Sequence, residues 1–443
     1  MKIFSIRAFC LILVLICQIE NAKSSEPVIL KNADSLLGTA EENLQYRTFI
    51  GNVVFEQGNV ILFCDTARQY MNIDKIELMS NIRIIQNQTT ILANRIDYYG
   101  NTKTAISNTK FSIIDKSNQL VASKGEYNTE TETGHFYGDV LIENDTVQIF
   151  SQELIYNSHT DVSIAYNDVR VFGRQTQYAI TSDTLIYRQN DRFLNANGKP
   201  IFYYIDTVKK RWDVLANQYF YTYDTLAVSS RHLIGSQSLN SEEYYQFTDS
   251  VEITKGNIAA RCEEASYFKN QAKLELKGTP VVWYDSLQLF ADTIFVYFPD
   301  NKIAKINLYH NSLTLLKNDT TDQKKIDQIS GEYIDIYFEN DSLKSLISKM
   351  QANSLYFTKD EQGENGLQSS GADTIHIYIS ENSVSDITWK SAAYIEFYPE
   401  TMFESDLTKY YLPKFRIRFD RPQKKYYPSI PSYYIEAAKA PQK

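Results

Sequence analysis

Two cysteines stand in the body of this chain, Cys64 in ILFCDTARQY and Cys262 in AARCEEASYF, each next to an acidic residue. A thiol so placed could be a nucleophile, a metal ligand or half of a disulfide. The five histidines, His135, His159, His232, His310 and His376, could serve as general bases or metal ligands, but they are scattered and share no metal-ligand spacing. The chain has neither a G-x-S-x-G elbow nor a phosphate-binding loop. Carboxylates are abundant, and a pair facing across a groove could cleave a glycosidic bond. The polar residues that stand out are Asp65, Asn94, Ser123, Gln152, Asp183, Asn217, Glu263, Asp292, Glu332 and Asp373. They recur once per repeat, as structural residues do and catalytic residues do not. No catalytic residue, metal ligand, disulfide or cofactor is expected.

The elements that must position these residues come from an internal period. Cys64, Ala93, Ala122 and Ser151 begin similar segments spaced 29 residues apart, and the series continues through Ser182, Ala216, Cys262, Ala291, Gly331 and Ala372 with insertions. A second marker keeps step with it: GNV at Gly51, SNI at Ser80, TKF at Thr109, GDV at Gly138, NDV at Asn167, GKP at Gly198, DSV at Asp249 and GTP at Gly278. Two markers in phase signal a repeat architecture. Cys64 and Cys262 occupy a slot filled elsewhere by Ala, Ser or Gly, so both are expected to be small, buried, free thiols. Linear stacking would also hold them far beyond bridging distance.

Within each repeat the apolar residues alternate, which is a strand signature. Val53 with Phe55, Ile82 with Ile84, Val140 with Ile142, Val169 with Val171 and Val251 with Ile253 form one dry face. Leu62, Ile149, Ile180, Val282 and Leu289 continue it. After the small residue the phase slips by one, to Ile96 and Tyr98 or Leu154 and Tyr156, so each strand must bend there. The polar residue at the slip is expected to bond backbone groups left open by the corner. Short polar turns such as EQGN, MNID and YGNT make neighbouring strands antiparallel. The expected fold is all-β: a repeat-built antiparallel sheet of bent strands, folded into a V-shaped or flattened β-jelly roll. A parallel β-helix is the alternative.

Composition agrees with strands. The chain holds 33 Tyr and 23 Phe against 16 Gly and 10 Pro, and its 43% hydrophobic content can fill a sizeable core. A net charge of -9 argues against a nucleic-acid partner. Residues 1–24 read as a secretory signal peptide, with Lys2 and Arg7 ahead of a short apolar run and Ala22-Lys23-Ser24 before the cut. Acylation at Cys17 is disfavoured by the bulky Ile16 before it. The expected domains are a first β-repeat domain over 25–196, an irregular insertion or junction over 197–245, a second β-repeat domain over 246–395, and a basic Pro/Tyr-rich tail over 396–443. From Tyr411 the tail has eight Lys or Arg against Asp420 and Glu436. Phe415, Ile417 and Phe419 alternate there with Arg416 and Arg418, which suggests a last strand. Arg416, Arg418 and Arg421 are candidates for an anionic head group or an acidic partner.

The GNV…(small)-(Asp/Asn)-x-(apolar)-x-Tyr pattern resembles the OstA/LptA-like family, most clearly over 46–196 and again over 247–306. The plan of a signal peptide followed by tandem OstA-like segments is similar to long OstA-like proteins of Bacteroidetes type. The resemblance implies a V-shaped β-jelly roll that shelters lipid acyl chains, and a place in lipopolysaccharide transport and outer-membrane assembly. The apolar series above would then line the lipid path. The implied partners are lipopolysaccharide or a related lipid and other proteins of this fold, docked through edge strands. The resemblance implies a location in the periplasm and an association with the outer membrane. An exported structural or adhesive repeat protein is the alternative.

Overall fold

The computed structural model describes residues 26–429 apart from 42–43, 175–177, 214–217, 238–242, 300–301, 318–323, 341, 360–364, 381–382 and 404–405. The expected signal segment, Ala216, Asn217 and the end of the tail lie outside the described residues.

The described residues form one sheet of 30 strands in which every pairing is antiparallel, so the β-helix alternative is overturned. Successive strands are neighbours because polar turns too short for a crossover connect them. The run from Leu44–Gln57 through Val60–Tyr70, Lys75–Gln86 and Thr89–Tyr99 shows the pattern. Residues 197–245, expected to interrupt the repeats, carry strands Ile201–Asp213, Gln218–Ser229 and His232–Gln237 and continue the ladder. The extra length lies in a long hairpin that pairs Asp213 with Gln218 and Ile201 with Ser229.

The bend sits on alternate strands, at the second sequence marker. In Leu44–Gln57, Ile50 pairs with Thr66 and Val53 with Cys64, so Gly51 and Asn52 together face Asp65. Both take left-handed backbone angles, φ 79° and 45°. Paired left-handed residues recur at Ser80/Asn81, Asn167/Asp168, Asp249/Ser250 and His310/Asn311. Such a two-against-one bulge turns the strand through a corner and reverses the facing of everything after it. Gly51 is suited to its place twice over. Its φ is one that residues with a Cβ rarely adopt, and a Cβ there would lie 2.3 Å from Asp34 Oδ2. At two corners the polar residue bonds the neighbouring corner's asparagine. Asp65 accepts from Asn81 Nδ2 at 2.6 Å and Asp292 from Asn311 Nδ2 at 2.7 Å.

Because a bulge on every second long strand kinks the ladder along one line, the sheet folds into two facing halves with one apolar interior. A single cluster of buried side chains runs through it from Phe49 to Ile375. The small slot is buried at Cys64, Ala122, Ser151, Ser182, Cys262 and Ala291. Cys64, Ala122, Cys262 and Ala291 belong to the interior cluster.

One half is covered on its outer face as well. Val281, Trp283, Phe290, Leu313 and Leu315 form a separate apolar patch there, and Phe415 and Ile417 of the tail pack on it. The run Val281–Tyr284 is therefore buried at all four positions, as strands covered on both faces are. Residues 411–429 form no final strand. They run extended across the ladder, from Leu412 N–H on Gln328 Oε1 (2.9 Å) to Arg170 Nη1 on the Ser429 carbonyl (3.2 Å).

Candidate functional site

Val53, Phe55, Leu62, Ile82, Ile84, Val140, Ile142, Ile149, Val169, Val171, Ile180, Val251, Ile253, Val282 and Leu289 all belong to the interior cluster. Each is at most 5% exposed, so the two halves pack on one another and leave no open gutter along these residues. Cys64 and Cys262 are free and buried among them. Burial pushes their thiols up, to about 11 and about 12, which keeps them protonated and inert.

Folding the halves together brings two rows of turns face to face, one holding residues 57–60, 86–89, 115–118 and 143–147, the other 70–75, 99–104, 128–133 and 157–162. In the N-terminal half these rows are laced by hydrogen bonds. Tyr98 OH donates to Gln57 Oε1 at 2.6 Å, while Gln57 Nε2 donates to the Gly100 carbonyl at 2.8 Å. Gln86 Nε2 donates to the Thr129 carbonyl at 2.6 Å. Tyr156 OH donates to Asp115 Oδ2 at 2.9 Å and accepts from Asn118 Nδ2 at 3.1 Å. Tyr127 pairs with Ser158 at 2.9 Å, Lys116 Nζ reaches Asp161 at 3.1 Å, and Tyr187 bonds Thr146 and Asn144. Burial raises all four tyrosine hydroxyls, that of Tyr127 to about 12, so they remain donors.

Alternation puts Tyr98 and Tyr156 on the apolar face and does not show what their hydroxyls do. A signal was present: Gln57, Gln86, Asp115 and Asn144 form a polar series at 29-residue spacing, in phase with the turns. Gln57 and Gln86 each meet a partner 43 residues on, about one and a half repeats.

The C-terminal half is closed differently. The position of the lacing tyrosine is taken by Val296, Ile336 and Ile377. The facing rows meet through Tyr284 and Phe338, with ring centroids 4.8 Å apart, and Lys255 lies 5.6 Å over the Phe298 ring. An apolar cleft of about 50 Å³ lies between Leu287, Leu316, Leu343, Ile377 and Ile387.

Both ends of the interior are uncapped. Leu30 and Leu36 pair with the buried Phe55 and Phe49, and side chains directly opposite share a face, yet they are 38% and 59% exposed. At the other end Ile395 pairs with the buried Ser370 and is 52% exposed.

The three tail arginines engage their own chain. Arg416 lies 4.8 Å over the Phe290 ring, Arg418 pairs with Asp420, and Arg421 Nη2 donates to the Asn257 carbonyl at 2.7 Å. Gln288 binds both backbone groups of Arg418 at 2.9 Å, as a neighbouring strand would. His135 bonds Glu153 at 2.7 Å and His310 bonds Glu332, and among the described residues no group of His, Cys, Asp and Glu could hold a metal ion.

These features define a class: an all-β protein of kinked antiparallel repeats, closed over an apolar interior open at its ends. Residues 25–183 match the model of the OstA-like protein family. Among solved structures the chain is similar to LptH, described as the LptA-homologous periplasmic component of the conserved lipopolysaccharide transport device from Pseudomonas aeruginosa. That likeness has 13% identity and a TM-score of 0.25 over 32% of this chain and 92% of that one. No curated protein matches the chain.

Proposed function

We propose that this protein is a periplasmic component of lipopolysaccharide transport and outer-membrane assembly that shelters acyl chains within its apolar interior and catalyses no reaction. The observation that carries this reading is the interior itself, apolar along the whole ladder and uncapped at both end strands. Each methylene kept from water is worth about 0.8 kcal/mol, so an acyl chain gains by replacing solvent at Leu30, Leu36 or Ile395 and following the interior inward. Unpaired backbone on the end strands offers edges to which another protein of this fold can add.

Acyl chains enter this closed interior by parting the two halves, and the two halves of the seam resist unequally. Breaking a buried hydrogen bond costs roughly 1–3 kcal/mol for each group left without a partner, and the N-terminal seam holds several. An apolar contact in the C-terminal seam is replaced by acyl chain at little cost. Photoreactive residues at Leu343 and Ile377 should therefore crosslink lipopolysaccharide in cells more strongly than residues at Ile84, Ile142 and Val171. Absence of lipid crosslinks from all five positions would overturn the proposal. The laced half supports a second role beside the first, as a rigid structural segment that sets the span of the molecule.

A further inference from the structure

Where the laced seam ends, after Tyr187, the mouth widens into a cavity of about 520 Å³. That volume falls within the roughly 300–1,000 Å³ typical of small-molecule sites. Its walls mix aromatic rings with neutral and charged polar groups: Tyr178, Tyr187 and Tyr245, with Asn144, Asn190 and Glu243 among the rest. Behind them Phe202 stands 4.5 Å from Tyr245 and is stacked on Tyr178 at 6.4 Å, so the rings are held in place from the interior side. Tyr178 and Tyr245 are themselves 6.4 Å apart, their planes inclined at 53°.

Two of these side chains differ from every lacing tyrosine. Among the described residues nothing accepts a hydrogen bond from the hydroxyl of Tyr178 or Tyr245. Burial raises both hydroxyls well above the usual range, with the neighbouring tyrosines and Glu243 adding to it, so both remain protonated donors. Both side chains line the cavity, so an oxygen atom of a ligand there can accept a hydrogen bond from either hydroxyl. Arg192 lines the cavity along with Asp145 and Glu243, so the lining has no strong net charge to demand an ion.

We infer that this cavity binds a saccharide. Ring faces pack against the C–H face of a sugar, phenolic hydroxyls donate to its oxygens, and amides and carboxylates accept from its hydroxyls. The inference stands apart from acyl-chain binding. A free oligosaccharide and the glycan of a glycolipid share the required chemistry.

Calorimetric titration of the intact chain with chitotriose, with deacylated lipopolysaccharide and with palmitate separates these sources. Binding of chitotriose is expected if a sugar alone suffices, and binding of deacylated lipopolysaccharide without chitotriose if the site requires the glycolipid's glycan. In either case the double variant Tyr178→Phe/Tyr245→Phe, which keeps both rings, should bind the saccharide at least tenfold more weakly. Its unfolding midpoint should be unchanged or raised, and its palmitate binding unaltered. Failure of both saccharides to bind, or equal binding by the variant, would overturn the inference. Loss of palmitate binding alone would bear only on the acyl-chain reading.

Discussion

Ser151 and Ser182 fill the same slot as Cys64, and in both the buried hydroxyl has no hydrogen-bond partner. The slot therefore selects size and not chemistry. Ser151→Ala and Ser182→Ala should leave stability unchanged or raise it by up to about 1 kcal/mol in urea unfolding, since each removes an idle buried hydroxyl. The thiols answer to the same logic through pH. Between the ordinary Cys64 value of 9.0 and its folded value of about 11, the unfolded chain ionises and the folded chain does not. Stability should thus fall as pH rises through that window, and Cys64→Ala should flatten the fall. Native protein should resist alkylation at both cysteines, and unfolding without reductant should make both react.

At the scale of the strand, the lacing tyrosines carry a cost that other interior tyrosines do not. Tyr156→Phe strips a partner from Asp115 and Asn118 together and should destabilise by about 1–3 kcal/mol. Tyr267→Phe, with no such partners among the described residues, should change the urea midpoint little. Much of this level was legible in the sequence. The 29-residue period, the alternation of Ile82 and Ile84, and the small slot gave strands, facing and bend from local rules alone. The position of the bend was harder to find. The slip at Asp65 shows on the strand opposite the corner, whereas the left-handed pair Gly51/Asn52 makes it. The seam was harder still, because Gln57 and Tyr98 meet only once the sheet has folded on itself. Alternation on one strand says nothing of what stands across the mouth. The tail's alternation suggested a strand, but Gln288's side chain takes the place of the neighbouring strand and leaves Arg418 without a ladder.

For the whole molecule, the tail is the element whose removal should matter most. Truncation before Tyr411 uncovers Trp283 and Phe290, now 4% and 0% exposed, and should cost on the order of 3 kcal/mol through the loss of Phe415, Ile417 and Tyr427 from their packing. A red shift of tryptophan emission and binding of a hydrophobic dye would report it; an unchanged spectrum and midpoint would show the strap to be dispensable. Acid should loosen the same contact. Burial works to raise the Glu252 carboxyl, but Lys425 and Arg261 outweigh it and hold it below the usual range. Its share of stability is present above the ordinary carboxylate value and is lost as pH falls through the lowered one. The strap also sets an order of events. Ladder pairs close between residues near in sequence, whereas Arg170 waits for Ser429, 259 positions later. A chain made from its N-terminus can zip its repeats as they appear, yet every unfinished form carries a bare oily flank. Until the final residues arrive, that flank stays open to solvent.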